Sequence, residues 1–295
     1  MKTGLIILNY NDWKRTAKLA ESSAMIDEID HVCIIDNCST DDSFYNLQKK
    51  ANDKIVVLQS QHNGGYAAGN NVGARCLIEK YGVDVLFIAN PDVVFDADTV
   101  RTVIKAFEKE NKYAALSPVM VDANGDIDPK PFIYFPSAID NILLCFYTYN
   151  RFYERKHSYK VFDNTIQKVD ALQGSFWAVR AEVLKKIGYL DEGTFLYFEE
   201  LCFAAKLRDK MPELEMGLVT DASYFHFHSA TIRSNLSELR MFRIYMNSKE
   251  YFARKYLKCK GVSLFLLKAA IAVSIFEERV FLFLTRKKNG VRKGE

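Results

Sequence analysis

The chain has 295 residues, 49% of them apolar and 26% charged, with a net charge of +3. That is enough for one large folded core or two small ones, and the near-neutral balance requires no nucleic acid as a partner. Six scattered cysteines (Cys33, Cys38, Cys76, Cys145, Cys202 and Cys259) show no C-x-x-C spacing, which fits reduced thiols in a cytosolic protein rather than a zinc site.

In chain order, "GLIILN" predicts a first strand, its apolar run too short for a signal peptide, and "WKRTAKLAESS" has helical period. "HVCIIDN" predicts a second strand and "DDSFYNLQKKA" a helix opened by acidic caps. "KIVVLQ" is a third strand, followed by a helix over "GYAAGNNVGARCLIEKY". "DVLFIAN" is a fourth, followed by a helix over "ADTVRTVIKAFEKE", and "AALSPVMV" reads as a fifth strand ending in the turn "DANGD". Residues 130 to 165 are irregular and aromatic, and no element is assigned to them. "KVDALQGSFWAVR" then reads as an extended pair, "AEVLKKIGYLDE" as a helix ending at Gly188, "YFEELCFAAKLRDKM" as a helix and "MGLVTDASYFHFHSA" as extended. Residues 234 to 258 have a helical pattern. The apolar run at 262 to 284 is broken by Lys268, Glu277, Glu278 and Arg279, short of the roughly 20 uninterrupted residues a bilayer span needs. Val- and Ile-rich strands alternating with helices predict an α/β fold with a mostly parallel central sheet covered on both faces.

Ligands of such sheets sit outside the carboxyl ends of the strands. Asn9, Asp36 and Asp92 all fall there. In "FIANPDVVF" the strand must stop at Asn90-Pro91-Asp92, because proline has no N–H and forces its predecessor into an extended conformation. Asp36 leads into polar residues able to cap a helix. A dinucleotide fold would use such an acid for ribose hydroxyls, but "NYNDWKR" after the first strand has no glycine, which excludes a nicotinamide cofactor. Glu199 and Glu200 open a helix, where the dipole favours negative charge, so that one can face a site and the other solvent. His226 and His228 alternate along an extended run and share a face, and neutral histidine is a competent metal ligand.

Seven segments in order resemble a family 2 glycosyltransferase of the GT-A fold: "ILNYND", "IIDNCSTDDS", "NGGYAAGNNVG", "NPDVVF", "QGSFWAVRAEVLKKIGYLDE", "FLYFEELCFAAKL" and "HFHSAT". More narrowly they resemble the rhamnosyltransferase-like branch that builds bacterial surface polysaccharides. The resemblance divides the chain into a transferase domain at 1–232 and a C-terminal helical extension at 233–295. It implies a nucleotide-diphosphate sugar donor, dTDP-rhamnose or a UDP-hexose, with Mg²⁺ or Mn²⁺ bridging its phosphates at Asp92. A histidine, His226 in preference to His228, would approach the metal. Asp36 would accept from the N3–H of uracil or thymine, with Asn9 near base or ribose and Asn63, Gly64, Gly69, Asn70 and Asn90 lining the nucleotide pocket. Glu200 would be the catalytic base that takes the acceptor hydroxyl's proton in an inverting single displacement. Gly174, Ser175, Trp177, Glu199 and His228 would lie on the donor-sugar and acceptor side, Trp177 offering a ring face to a sugar.

The acceptor implied is a glycan or lipid-linked glycan of capsule, O-antigen or exopolysaccharide synthesis. A glycoside hydrolase would leave the strand-end acids unexplained, and a nucleotidyltransferase would carry a glycine-rich basic loop after the first strand. A catalytically inactive GT-A scaffold or glycan-binding subunit is the alternative, opposed by the coexistence of Asp36, Asp92 and Glu200. The apolar run and the basic end "TRKKNGVRKGE" predict a cytoplasmic protein that makes peripheral contact with the anionic inner face of the cell membrane, or else a homodimer interface, or a core helix with a solvated tail.

Overall fold

A computed structural model describes residues 1–122, 124–156, 164–227 and 237–291, with side chains described through 284. The first part alternates as the pattern requires: β1 (Thr3–Asn9), α1 (Trp13–Ala24), β2 (His31–Asp36), α2 (Ser43–Gln48), β3 (Ile55–Gln59), α3 (Tyr66–Arg75), β4 (Val85–Ala89), β5 (Val93–Val94), α4 (Ala97–Lys109) and β6 (Tyr113–Val121). Next come β7 (Phe132–Ile133), α5 (Ala138–Leu143), α6 (Tyr147–Lys156), β8 (Ile166–Val169), β9 (Ala171–Leu172), β10 (Phe176–Arg180), α7 (Ala181–Ile187), α8 (Glu199–Lys210) and β11 (Glu215–His226). Two helices close the described chain, α9 (Glu238–Lys255) and α10 (Gly261–Val291).

Among the described residues one sheet runs β3-β2-β1-β4-β10-β6-β11-β5, with β8 also paired to β11. Strands β3, β2, β1 and β4 are mutually parallel. The second half is mixed: β10 lies antiparallel between β4 and β6, while β11 runs parallel to β6. Pro118, which cannot donate to a ladder, sits inside β6 where the β11 register jumps from Val219 to Ser223. Beyond that irregularity the end of β11 pairs with β5, which follows the carboxyl end of β4.

Alternation along each strand builds a core on each face. Ile6, Ile35 and Ile88 point to the face covered by α3, α7 and α8. Leu5, Ile7, Ile34 and Phe87 point to the face covered by α1 and α4. Helix α7 ends at Gly188, whose φ of +80° suits a residue without Cβ. Residues 130 to 156 supply β7 and the two helices α5 and α6, and β7 pairs antiparallel with β9.

The two C-terminal helices pack onto the described chain before residue 228. Phe252 of α9 is fully buried in the same core as α8. The Ser248 hydroxyl donates to the Leu196 carbonyl at 2.7 Å, and Asp191 accepts from Tyr251 and Lys255, each at 2.9 Å, and from Tyr256. Gly193 permits this approach, since a Cβ there would lie 1.9 Å from Tyr251 Cζ. Helix α10 packs on α9 and α5 through a smaller core of Cys145, Met246, Ala253, Leu267, Ala270 and Ile271.

Candidate active site

The β1–β2 register places Asn9 directly beside Asp36 at the carboxyl ends of their strands. Asp36 is fully buried and saturated. One carboxylate oxygen accepts from Asn9 Nδ2 at 2.8 Å and from the Ser39 hydroxyl at 2.6 Å. The other accepts from the Ser39 amide at 3.1 Å and from Gln59 Nε2 at 3.3 Å. Asn9 accepts in turn from Thr16 at 2.9 Å, which fixes its amide. Ser39, Gln59 and Thr16 were not singled out in the sequence; Ser39 lies inside the quoted "IIDNCSTDDS".

The glycine-rich segment divides. Asn63 is half-buried and accepts from Asn37 at 2.9 Å and from the Gly65 amide at 3.1 Å. Gly64 is half-buried at the mouth of α3. Gly69 and Asn70, by contrast, are buried. A Cβ on Gly69 would fall 2.3 Å from Leu8 Cδ1, so this glycine serves helix–strand packing. Asn70 is fully buried, spends its amide on the Tyr66 carbonyl at 2.9 Å, and leaves Oδ1 without a partner among the described residues.

Two metal-side expectations meet. Asp92 Oδ1 lies 3.2 Å from His226 Nε2. Val93 pairs with His226 across β5–β11, and the Phe227 amide donates to the Asp92 carbonyl at 3.0 Å. His228 lies outside the described residues. No group of three or more such ligands gathers among the described residues. One carboxylate and one imidazole nonetheless fit a divalent cation that takes its remaining ligands from phosphate oxygens.

The acceptor-side segment abuts this pair. The Asn90 amide donates to the Ser175 carbonyl at 2.8 Å, because Phe176 pairs with Ala89. The Ser175 hydroxyl lies 2.6 Å from the Tyr224 hydroxyl, two residues before His226. The Tyr66 hydroxyl donates to the Gly174 carbonyl at 2.6 Å. Sequence pattern alone does not mark Tyr66 or Tyr224, although Tyr66 stands in "NGGYAAGNNVG" and Tyr224 shares the alternation of His226. Trp177 presents no ring face to a sugar: it is 4% exposed and packs edge-on to Phe203 at 5.1 Å, a core position on β10.

Glu200 sits against Gly174. A Cβ on Gly174 would lie 2.2 Å from Glu200 Oε1, so only glycine leaves room for the carboxylate. Glu199 is buried and does not face solvent, and Phe198 just before it packs against Tyr245 and Phe252 of α9. Burial first, then the neighbouring Glu200 charge, pushes the Glu199 carboxyl well above its usual range. Burial also raises Glu200, while the backbone N–H groups of Glu200 itself and of Gly174 pull it back down. Burial and then Glu200 push the Tyr66 phenol up, which keeps it a donor. Immediately before the pair, Tyr197 and Phe198 both hold φ of +70°, a left-handed conformation costly for bulky residues.

These strand-end acids, the mixed sheet and the helix-borne glutamate define a nucleotide-sugar transferase fold of the GT-A type. The sequence model described as "Glycosyl transferase family 2" matches residues 5–188, and the chain belongs to that family. Its curated relatives agree with the rhamnosyltransferase-like branch. The low-salt glycan biosynthesis hexosyltransferase Agl10 of Haloferax volcanii is 24% identical over 218 residues, 74% of this chain and 65% of that protein. The chain therefore spans a little less than two thirds of that relative's length. Rhamnosyltransferase WbbL of Escherichia coli K12 is 25% identical over 238 residues, 75% of this chain and 87% of the relative. Among solved structures, the mannosyltransferase PcManGT from Pyrobaculum calidifontis, in complex with GDP-Man and Mn²⁺, shares the fold with a TM-score of 0.54 at 14% identity, over 98% of this chain and 80% of that one.

Proposed function

We propose that the chain is an inverting glycosyltransferase that moves a sugar, rhamnose or a hexose, from a nucleoside-diphosphate donor to a hydroxyl of a glycan or lipid-linked glycan at the cytoplasmic face of the cell membrane. The observation that carries this reading is the Glu200 carboxylate seated on Gly174, next in line to Asn90, Asp92 and His226. Glu200 takes the proton of the acceptor hydroxyl while that oxygen bonds to the anomeric carbon and the bond to the diphosphate breaks on the opposite side. The first turn of α8 favours the ionised base. A divalent cation held by Asp92 and His226 would neutralise the charge that gathers on the departing diphosphate. Asp36 receives the imide N–H of uracil or thymine in place of its longest partner, Gln59 Nε2.

Calorimetric titration with UDP, dTDP, GDP and ADP, with and without Mn²⁺, tests the donor side. Mn²⁺-dependent binding of UDP or dTDP is expected. Purine preference overturns the role of Asp36, and no binding at all overturns the transferase reading in favour of an inactive scaffold. Glu200→Gln is expected to keep that binding and lose about 10² to 10⁴-fold in turnover.

A further inference from the structure

Helix α10 has two apolar faces. One, carrying Leu267, Ala270 and Ile271, is buried against α9 and α5. On the opposite side Val262, Phe265, Val273, Phe276, Val280 and Phe283 stand in solvent, the three phenylalanines 71%, 65% and 67% exposed. At roughly 100° per residue these six fall within an arc of about 80° and form a stripe about 32 Å long. Lys268 and Arg279 border one edge and Glu277 the other. No helix among the described residues is long and apolar enough to cross a membrane. Charge is concentrated on the same segment. Residues 258 to 295 hold nine lysines and arginines against three glutamates, while the whole chain nets +3, so the rest of the protein is net acidic.

We propose that the outer stripe of α10 docks on an anionic lipid bilayer, lying in the plane of the interface with its phenylalanine row in the headgroup–acyl boundary. An apolar arc on a helix whose end is basic has the form of an interfacial helix. The run Arg286, Lys287 and Lys288 continues the helix into a cationic end that anionic headgroups attract. A second copy of this chain is the weaker occupant. Pairing two stripes in either direction brings one cationic segment against another, and like charges in contact oppose association. The inference stands on α10 alone and does not depend on the transferase reading. It bears on that reading at one point: α10 lines, with Tyr197, a cavity of about 780 Å³. An acceptor carried by lipid would thus meet a wall shared with the loop that leads into Glu199.

The test is flotation of the full chain with phosphatidylcholine vesicles, with and without about one third phosphatidylglycerol. The wild type is expected to float with the anionic vesicles and to be released by high salt. The triple variant Phe265→Ser, Phe276→Ser, Phe283→Ser alters only exposed side chains and is expected to lose about tenfold or more of that binding while keeping its nucleotide affinity and elution volume. Arg286→Glu, Lys287→Glu, Lys288→Glu is expected to lose it as well. Equal flotation of wild type and the phenylalanine variant overturns the proposal, as does equal flotation with neutral and anionic vesicles. A wild-type dimer that the serine variant splits, with no flotation of either, overturns it in favour of a second copy. Failure of nucleotide binding in the wild type counts against the transferase reading alone.

Discussion

Gly174→Ala isolates the placement of the base from its chemistry. The added methyl would lie 2.2 Å from Glu200 Oε1, 3.1 Å from Cδ and 3.3 Å from Cγ, where ordinary contact begins at 3.4 Å. The backbone at Gly174 is not left-handed, so no backbone strain is added. The carboxylate must therefore retreat by roughly 1 Å, and a misplacement of that size costs about 100-fold in rate. In barrier height that is about 2.7 kcal/mol. Stability should change by less than about 1 kcal/mol, because the obstructed atoms end a flexible side chain. Single-turnover release of nucleoside diphosphate gives the rate, calorimetry the donor affinity, and thermal melting the fold. The double variant with Glu200→Gln should be no slower than Glu200→Gln alone, since both act through one carboxylate. Turnover within about twofold of wild type, or losses that add fully in the double variant, would refute this placement of the base.

Other outcomes follow from the same geometry. Asp92→Ala should lower donor affinity about tenfold or more with Mn²⁺ and little without it, and His226→Ala should do the same to a smaller degree; equal losses in both conditions by calorimetry contradict a shared cation. Because burial raises Glu200 above the usual 4.5, and a base must be ionised, turnover should fall as pH falls through a limb lying above that value; a limb at or below 4.5 in the pH–kcat profile contradicts the assignment. Glu199 also has a folded pKa above its unfolded one, so its contribution to stability is complete below the unfolded value and is lost as pH rises through the folded one. Glu199→Gln, which cannot ionise, should gain in Tm relative to wild type between pH 5 and pH 8, and a pH-independent difference rejects the raised carboxyl pKa. Asp191→Ala strips the acceptor from Lys255, Tyr251 and Tyr256 and should cost about 2–4 kcal/mol in urea unfolding, whereas a loss under about 0.5 kcal/mol would show that the cluster contributes little.

Local pattern made the parallel half of the sheet legible. Leu5, Ile6 and Ile7 divide between two cores by simple alternation, and Asn9, Asp36 and Asp92 follow from where the apolar runs stop. The pairing of Asp92 with His226 followed from motif order. What stayed hidden depends on contacts distant in sequence. "FWAVR" carries no sign that it inserts antiparallel between β4 and β6, and that insertion makes Trp177 a core residue and sets Gly174 under Glu200. Gly69 stands in a glycine-rich segment expected to line the nucleotide pocket, yet the closeness of Leu8 makes it a packing position. The helix pattern lets one of Glu199 and Glu200 face solvent, yet Glu199 is buried, and the helix start at Phe198 is packed by Tyr245 and Phe252 of α9, some 40 residues later in the chain.

The Asp191 cluster decides where this protein can be cut. A fragment ending at residue 188, where the family match stops, lacks both glutamates. One ending near 233 keeps them but loses the three donors to Asp191 and the ring of Phe252 from the core. Those losses amount to about 2–4 and about 3–5 kcal/mol against a total stability of about 5–15. A fragment meant to keep this core should therefore extend through Tyr256, and truncation between residues 233 and 256 should lower Tm sharply.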